Sequence, residues 1–300
     1  MNIRFSEEVS EALNSASPVV ALESTVIAHG LPFPQNLATA RELEAIVRRS
    51  GAVPATIAVF GGELCVGLSD GQLERLADGG EIRKISRRDL PIVIANKLDC
   101  ATTVATTAFV AHRAGIKVFA TGGIGGVHRG YSHDVSADLV ELARTPITVV
   151  CSGAKIVLDL AATREWLETF GVTVLGWRCE EMPAFYSRSS GLMVDQRIES
   201  ARDVALIAAA RDAADLTNAL LVTVPIPAES EIERGELERI LTDALIKGDE
   251  QKITGKEITP FLLAQMSEKS GGRTLEANIA LLKKNVGVAA EIAQAMSASG

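Results

Sequence analysis

The chain has 300 residues, 47% of them hydrophobic and 23% charged, enough to build one large core or two small ones and too apolar for extended disorder. A formal net charge of −8 argues against a nucleic-acid polymer as partner, since that needs a basic face, but one phosphate held by a lysine and backbone amides remains possible. No apolar run approaches the ~20 residues of a membrane span, and the acidic Glu7, Glu8 and Glu11 are unlike a signal peptide. Cys65, Cys100, Cys151 and Cys179 form no CxxC pair, so they are expected to be reduced thiols of a cytoplasmic protein rather than zinc ligands.

Along the chain, Val19 to Leu22 reads as a buried strand, and Asn36 to Arg49 follows with helical spacing at Leu37, Ala40, Leu43 and Val47. Thr56 to Phe60 and Leu64 to Leu68 flank Gly61-Gly62 and predict a hairpin. Ile92 to Ala95 is expected to be a strand, Thr102 to Ala114 a helix, and Val118 to Ala120 a strand running into a glycine-rich loop. Then come a helix over Asp138 to Arg144, a strand over Ile147 to Cys151, and a helix over Val157 to Phe170 closed by Gly171. Strands are expected at Val172 to Leu175 and Leu220 to Val224. Cys179 to Gln196 has little periodicity and reads as a surface or active-site loop. Glu231 to Leu245, Pro260 to Ser270 and Leu275 to Met296 are helical, the last with a stripe of Ala289, Ile292 and Ala293.

Such alternation argues for an α/β protein. The hairpin disfavours a purely parallel sheet, so the expected fold is a three-layer α/β/α sandwich with a mixed central sheet. A TIM barrel is the alternative, but eight regular βα units are not countable. Neither an internal repeat nor a long linker divides the chain, which is expected to form a single domain over residues 1–300.

Five stretches can carry chemistry. Thr121-Gly-Gly-Ile-Gly-Gly-Val-His-Arg-Gly130 follows a strand, and its glycines let backbone amides approach a ligand; His128 lies within it. No GxGxxG register fits. In Val149-Val-Cys-Ser-Gly-Ala-Lys155, a lysine stands after a strand and, by this reading, at a helix N-terminus, whose partial positive charge disfavours the protonated amine. Arg83-Lys-Ile-Ser-Arg-Arg-Asp-Leu-Pro91 is a concentrated basic run suited to a phosphate or to surface ion pairs. In Ala21-Leu-Glu-Ser-Thr25, Glu23 ends a buried strand, where a carboxyl can stay protonated and donate a proton. Asp134 and Asp138 stand four apart beside the glycine loop, a spacing compatible with a hard divalent cation or with a helix N-terminus.

Together, ALEST, PATIAV with its GG, VGL, KISRRDLP, ATTVATT, FATGGIGGVHRG, SADL, SGAK and GKEITPFLLA stand in an order that resembles the pseudouridine-5'-phosphate glycosidases, a family that includes the indigoidine synthase A homologues. The resemblance runs from about Pro18 to Ile292. It implies reversible cleavage of the carbon–carbon bond of pseudouridine 5'-phosphate to uracil and ribose 5-phosphate, in pseudouridine catabolism, through a lysine Schiff base. The usual two-carboxylate logic of glycosidases does not serve a C–C bond. By resemblance Glu23 is the proton donor and Lys155 the nucleophile. Lys84, Val104, Ser136, Ala137 and Asp138 contact the substrate, with Thr121, His128 and Asn278 also at the site. Asp134 is the ligand of one Mn2+ per subunit. The resemblance also implies a homotrimer and an α/β/α sandwich. The segment Tyr131-Ser132-His133 before Asp134 is shorter than the family's form. An imine-forming aldolase or a non-catalytic nucleotide-binding protein would share parts of this pattern without its motif order.

Overall fold

A computed structural model describes residues 2–130, 134–253 and 258–298. Two parts of the sequence reading lie outside them, namely His133 with its two neighbours and the GKE of GKEITPFLLA.

The frame is one eleven-stranded mixed sheet. Seven strands run parallel in the order β3 (Val53–Phe60), β2 (Val19–Leu22), β7 (Val118–Ala120), β9 (Thr148–Cys151), β13 (Leu220–Thr223), β11 (Thr173–Trp177) and β12 (Gln196–Ile198). The inner strands β2, β7, β9 and β13 are buried at every position. That is why they read as continuous apolar runs: a parallel strand covered on both faces has no solvent side. Helix α11 (Arg273–Ser297) packs against β2, β7 and β9 alongside α2 (Gln35–Arg49) and α8 (Ala201–Ala213), while α5 (Val104–Arg113) packs against β2, β3 and β7 alongside α6 (Ala137–Leu142). The two groups of helices form the outer layers. The sheet is open, ending in β1 (Ile3–Phe5) and β12, which excludes the barrel.

The Gly61-Gly62 hairpin is present. Both glycines have positive φ, 59° and 78°, as a two-residue type I′ turn requires, and they reverse the chain from β3 into the antiparallel β4 (Glu63–Val66). The upper half of β3 changes partner on its other side. It pairs with β2 as far as Thr56, and then with the antiparallel β6 (Cys100–Thr102) at Ala58 and Val59. Strand β5 (Arg83–Ile85) lies parallel to β6. The hand-over is stitched by the residues after β2. Ser24 Oγ accepts the Thr102 amide at 2.9 Å and Thr25 Oγ1 donates to the Thr102 carbonyl at 2.8 Å. Glu23 therefore sits where β2 peels away from its neighbour.

Three sequence expectations are corrected. Ile92 to Ala95 is not a strand but the end of helix α4 (Leu90–Ala95). Pro91 fits a first helical turn, and Ser86 and Asp89 form a capping box just before it. Ile92 and Ile94 are 58% and 43% exposed, so their β-branched apolar character marked no buried strand. The helix expected from Val157 starts later. Lys155 to Asp159 form a turn and the short strand β10 (Leu158–Asp159), paired antiparallel with β8 (Val127–His128), and α7 (Leu160–Thr169) begins only after its N-cap Asp159. Lys155 is thus not at a helix N-terminus. Finally, α1 (Glu7–Asn14), α3 (Asp70–Ala77) and α8 were not anticipated, although Ser69/Gln72 and Ser200/Asp203 cap the latter two with capping boxes.

After Thr25 the chain makes a π-helical turn, Val26–Gly30, a rare form that recurs at functional sites. Buried Asn36 anchors it: its Nδ2 donates to the carbonyls of Ile27 at 2.9 Å and Ala77 at 2.8 Å. Replacing Asn36 with Leu orphans two carbonyls and is expected to lower stability by about 2–4 kcal/mol, read from the denaturant midpoint; a loss within experimental error would refute the anchor.

Candidate active site

In an open α/β sheet, the crevice forms where successive connections leave to opposite sides, beyond the carboxyl ends of the strands. Here β2 leads through α2 to β3 on one side, and β7 leads through α6 to β9 on the other. The break lies between β2 and β7. Leu22 pairs with Ala120 and Ala120 with Val150. The next residues in chain order, Glu23, Thr121 and the Cys151-Ser152 pair, therefore emerge side by side.

A small, partly open cleft lies here. Four of the candidate site residues, Glu23, Lys84, Lys155 and Asn278, line it. Glu23 is 7% exposed and accepts a hydrogen bond from Thr121 Oγ1. Burial holds its carboxyl above the usual carboxylate range, and the positive charge of Lys155, the Thr121 hydrogen bond and Lys84 only partly oppose this. Lys155 follows β9 and the positive-φ Gly153; its amide donates to the Ile124 carbonyl at 3.1 Å, tying the SGAK turn to the glycine loop. A Cβ on Gly153 would collide with the Pro183 carbonyl, so the turn needs glycine both for its φ of 79° and for this close approach. Nearby Cys151 is buried, and its thiol is pushed up to about 12, which disfavours the thiolate there.

Of the basic run, Lys84 alone lines the cleft. Arg87 pairs with buried Glu141 at 3.0 Å and lies 4.2 Å over the Phe109 ring, while Arg88 points into solvent. The Ile85 carbonyl accepts the Thr103 amide at 3.2 Å and Thr106 Oγ1 at 3.0 Å, which sets Lys84 against the first turn of α5, where Val104 stands. Asp138 joins this turn to the glycine loop: Oδ1 accepts the Ala105 amide at 2.9 Å and Oδ2 the Gly125 amide at 2.8 Å. Ser136 caps α6 and Ala137 opens it, so Val104, Ser136, Ala137 and Asp138 cluster at two adjoining helix starts.

Val104, Thr121, Ser136, Ala137 and Asp138 are not among the cleft-lining residues, nor are His128 and Asp134. The last two are linked to each other, the His128 amide donating to the Asp134 carbonyl at 3.0 Å. Asp134 is exposed, whereas Asp138 is buried with its oxygens on backbone amides, so the two do not form a carboxylate pair. Among the described residues no three His, Cys, Asp or Glu side chains gather as a metal site. Hard-cation chemistry at Asp134 would rest on one carboxylate, with other positions filled by water or substrate oxygens, a donor set that suits Mn2+ or Mg2+.

Thr25, Val26, His29, Gly30, Thr259, Pro260 and Leu263 also line the cleft; the sequence reading quoted Thr25 within ALEST and the last three within GKEITPFLLA but assigned none of the seven to the site. Thr25 precedes the π-helical turn, Val26, His29 and Gly30 belong to it, and the others come from α10 (Ile258–Lys269), which packs on α9 (Arg234–Glu250). Phe185 completes the wall. It belongs to the irregular 179–196 segment read as a surface or active-site loop, and it is held at φ 63° with its amide donating to Ser152 O at 3.0 Å.

The family model described as "Indigoidine synthase A like protein" matches residues 8–295. The chain belongs to that family. It is 50% identical over 295 residues to a pseudouridine-5'-phosphate glycosidase of Geobacillus kaustophilus, covering 98% of each chain. It is 53% identical over 302 residues to one of Symbiobacterium thermophilum, covering 99% of this chain and 98% of that one. Two solved members of this fold superpose closely. The crystal structure of an indigoidine synthase A-like protein of Thermotoga maritima gives a TM-score of 0.91 at 39% identity, covering 99% of this chain and 97% of that one. The prealnumycin C-glycosynthase AlnA, solved in complex with ribulose 5-phosphate, gives 0.92 at 39% identity, covering 100% and 98%. The indigoidine synthase A-like fold is the three-layer mixed α/β architecture expected from the sequence. Among the described residues no helix is long and apolar enough to cross a membrane.

Because Glu23 binds its proton more tightly in the folded state, folding takes up protons between its unfolded and folded pKa values, and its contribution to stability falls as pH rises through that window. Glu23→Gln should therefore raise the melting temperature at alkaline pH, with the gain shrinking toward pH ~4, near the ordinary glutamate pKa. Melting curves against pH test this; an equal shift at all pH values would contradict the buried-carboxyl assignment.

Proposed function

We propose that this protein cleaves pseudouridine 5'-phosphate to uracil and ribose 5-phosphate, reversibly, through a lysine imine, and that it serves pseudouridine catabolism. The observation that carries the reading is the placement of Glu23 and Lys155 in one cleft, with burial raising the proton affinity of the acid. The names of the close relatives and the pentose phosphate bound by AlnA support the substrate class.

In this reading Lys155 Nζ bonds to C1′ as the C1′–O4′ bond breaks, and O4′ takes the proton of Glu23. Thr121, which donates to Glu23, fixes the carboxyl's orientation. The alkylated Lys155 nitrogen then returns a proton to the Glu23 carboxylate and regains its lone pair. That pair closes the C1′=N iminium as the C1′–C5 bond breaks, its electrons going to uracil C5, which takes up a proton from Glu23. Water releases ribose 5-phosphate and restores the amine. In reverse the iminium is the electron sink that uracil C5 attacks.

Lys84 and the amides around Val104, Ser136 and Ala137 hold the phosphate, and Asp138 fixes that cradle by gripping Ala105 and Gly125. Asn278, on the cleft wall, faces the base, and His128 orders the outer glycine loop. One Mn2+ held by Asp134 would add positive charge for an anionic substrate. We further propose a single functional domain, a homotrimeric assembly and a cytoplasmic location, on the family resemblance.

Uracil release from pseudouridine 5'-phosphate, with uridine 5'-phosphate as control, tests the function. Lys155→Ala is expected to lose about 10³-fold or more in kcat, and borohydride with ribose 5-phosphate should label Lys155 in the wild type alone. An active Lys155→Ala variant, or no labelling, would defeat the mechanism. Chelation is expected to abolish activity and Mn2+ to restore it, with Asp134→Ala raising the Mn2+ concentration required; full activity in metal-free protein would remove the ion from the scheme.

A further inference from the structure

Helix α11 runs beneath the ends of β7 and β9 and carries a fully buried asparagine, Asn285, two turns beyond Asn278 on the same face. Burying an amide among apolar side chains is costly unless its donors and acceptor are used, and those of Asn285 are. Nδ2 donates to the Thr121 carbonyl at 2.9 Å, and Gly122 O lies 3.4 Å away. Ser152 Oγ lies within 3.2 Å of both ends of the amide. The Ser152 amide in turn donates to Gly122 O at 2.8 Å. One side chain thus spans the first residues of the glycine loop and the first residue of the SGAK turn.

The orientation of this amide is forced. Two carbonyl oxygens face Nδ2, so only a donor can stand there. What the bridge joins matters: Thr121 is the residue that donates to Glu23, and Ser152 starts the turn that ends at Lys155. The phosphate cradle is built on α5 and α6, on the other side of the sheet, and has no bond to Asn285.

We propose that Asn285 is a positioning residue that fixes Thr121 against Ser152, and through them the Glu23 carboxyl against the Lys155 amine, without touching substrate. This rests on the function proposed above. An acid and a nucleophile that must act on O4′ and C1′ of one sugar tolerate little relative displacement, and a misplacement of ~1 Å costs about 100-fold in rate.

The test compares wild type, Asn285→Asp, Asn285→Leu and Ser152→Ala by thermal melting, hydrogen exchange and steady-state kinetics of uracil release. Aspartate keeps the shape but sets a carboxylate against two carbonyls; leucine keeps the bulk without any donor. In folded variants at Asn285, amide exchange is expected to rise in both segments 119–126 and 150–156 and nowhere else to the same degree. There kcat should fall about 10–100-fold, while KM stays close to wild type because the phosphate contacts are untouched. Unchanged exchange in these two segments, or wild-type kcat in a folded Asn285→Leu, overturns the proposal. Should both Asn285 variants fail to fold, Ser152→Ala decides. It should show a smaller drop in kcat with increased exchange in 150–156, and wild-type behaviour would refute the bridge. If the wild type releases no uracil, the function reading fails, and the exchange comparison still decides whether Asn285 ties the two segments.

Discussion

The shared register of β2, β7 and β9 is the constraint on which the site depends. Parallel neighbours whose last pairs are Leu22 with Ala120 and Ala120 with Val150 deliver their next residues to one level. Glu23 and Thr121 become lateral neighbours without any loop having to bring them together. Since side chains alternate faces along a strand, a slip of one residue in β7 would turn Thr121 away from Glu23 and send its buried apolar neighbours to the wrong layer. The same packing that specifies the core thus specifies the acid's partner.

A buried carboxyl is costly to ionise. The fold places Glu23 at the one level where β2 gives up its β3 partner to β6, so the acid stands at the rim of the sheet rather than within it. Ser24 and Thr25 meanwhile satisfy the backbone of Thr102 on the far side of the gap. The lysines raise no second barrier. Lys84 and Lys155 share the cleft with the acid and its Thr121 bond, and their charge moderates the proton affinity that burial produces. In the proposed mechanism, the stability lost by burying the acid is what raises its proton affinity for donation.

Much of this was legible in the sequence, and what was not has physical reasons. Strands β2, β7 and β9 are apolar at every position because both faces are covered, so the residues just beyond them, Glu23, Thr121 and Lys155, could be located as strand ends. The Gly61-Gly62 reversal was legible because only glycine suits consecutive positive φ. The segment after Lys155 was misread as helix because its composition permits either state; pairing of Leu158 with His128, a contact between distant parts of the chain, decides it. Ile92 to Ala95 misled for the opposite reason, its apolar side chains facing outward from a helix set by Ser86, Asp89 and Pro91. The wall built from Val26, His29, Pro260 and Leu263 could not be read as a wall, since Pro260 and Leu263 stand in a recognisable motif but meet Val26 and His29 only when α10 folds over the π-helical turn. The carboxylate pairing of Asp134 with Asp138 failed because spacing does not reveal that backbone amides already occupy one partner.

The buried bridge from α11 is also a matter of chain entropy. Asn285 lies 164 residues from Thr121 and 133 from Ser152 in sequence, yet it bonds to both. Closing loops of that length costs conformational entropy that near neighbours in sequence do not incur. The two turns at the cleft are therefore joined by a contact that only the assembled fold can supply, and the shape of the cleft inherits the cooperativity of the whole sheet rather than that of one local motif.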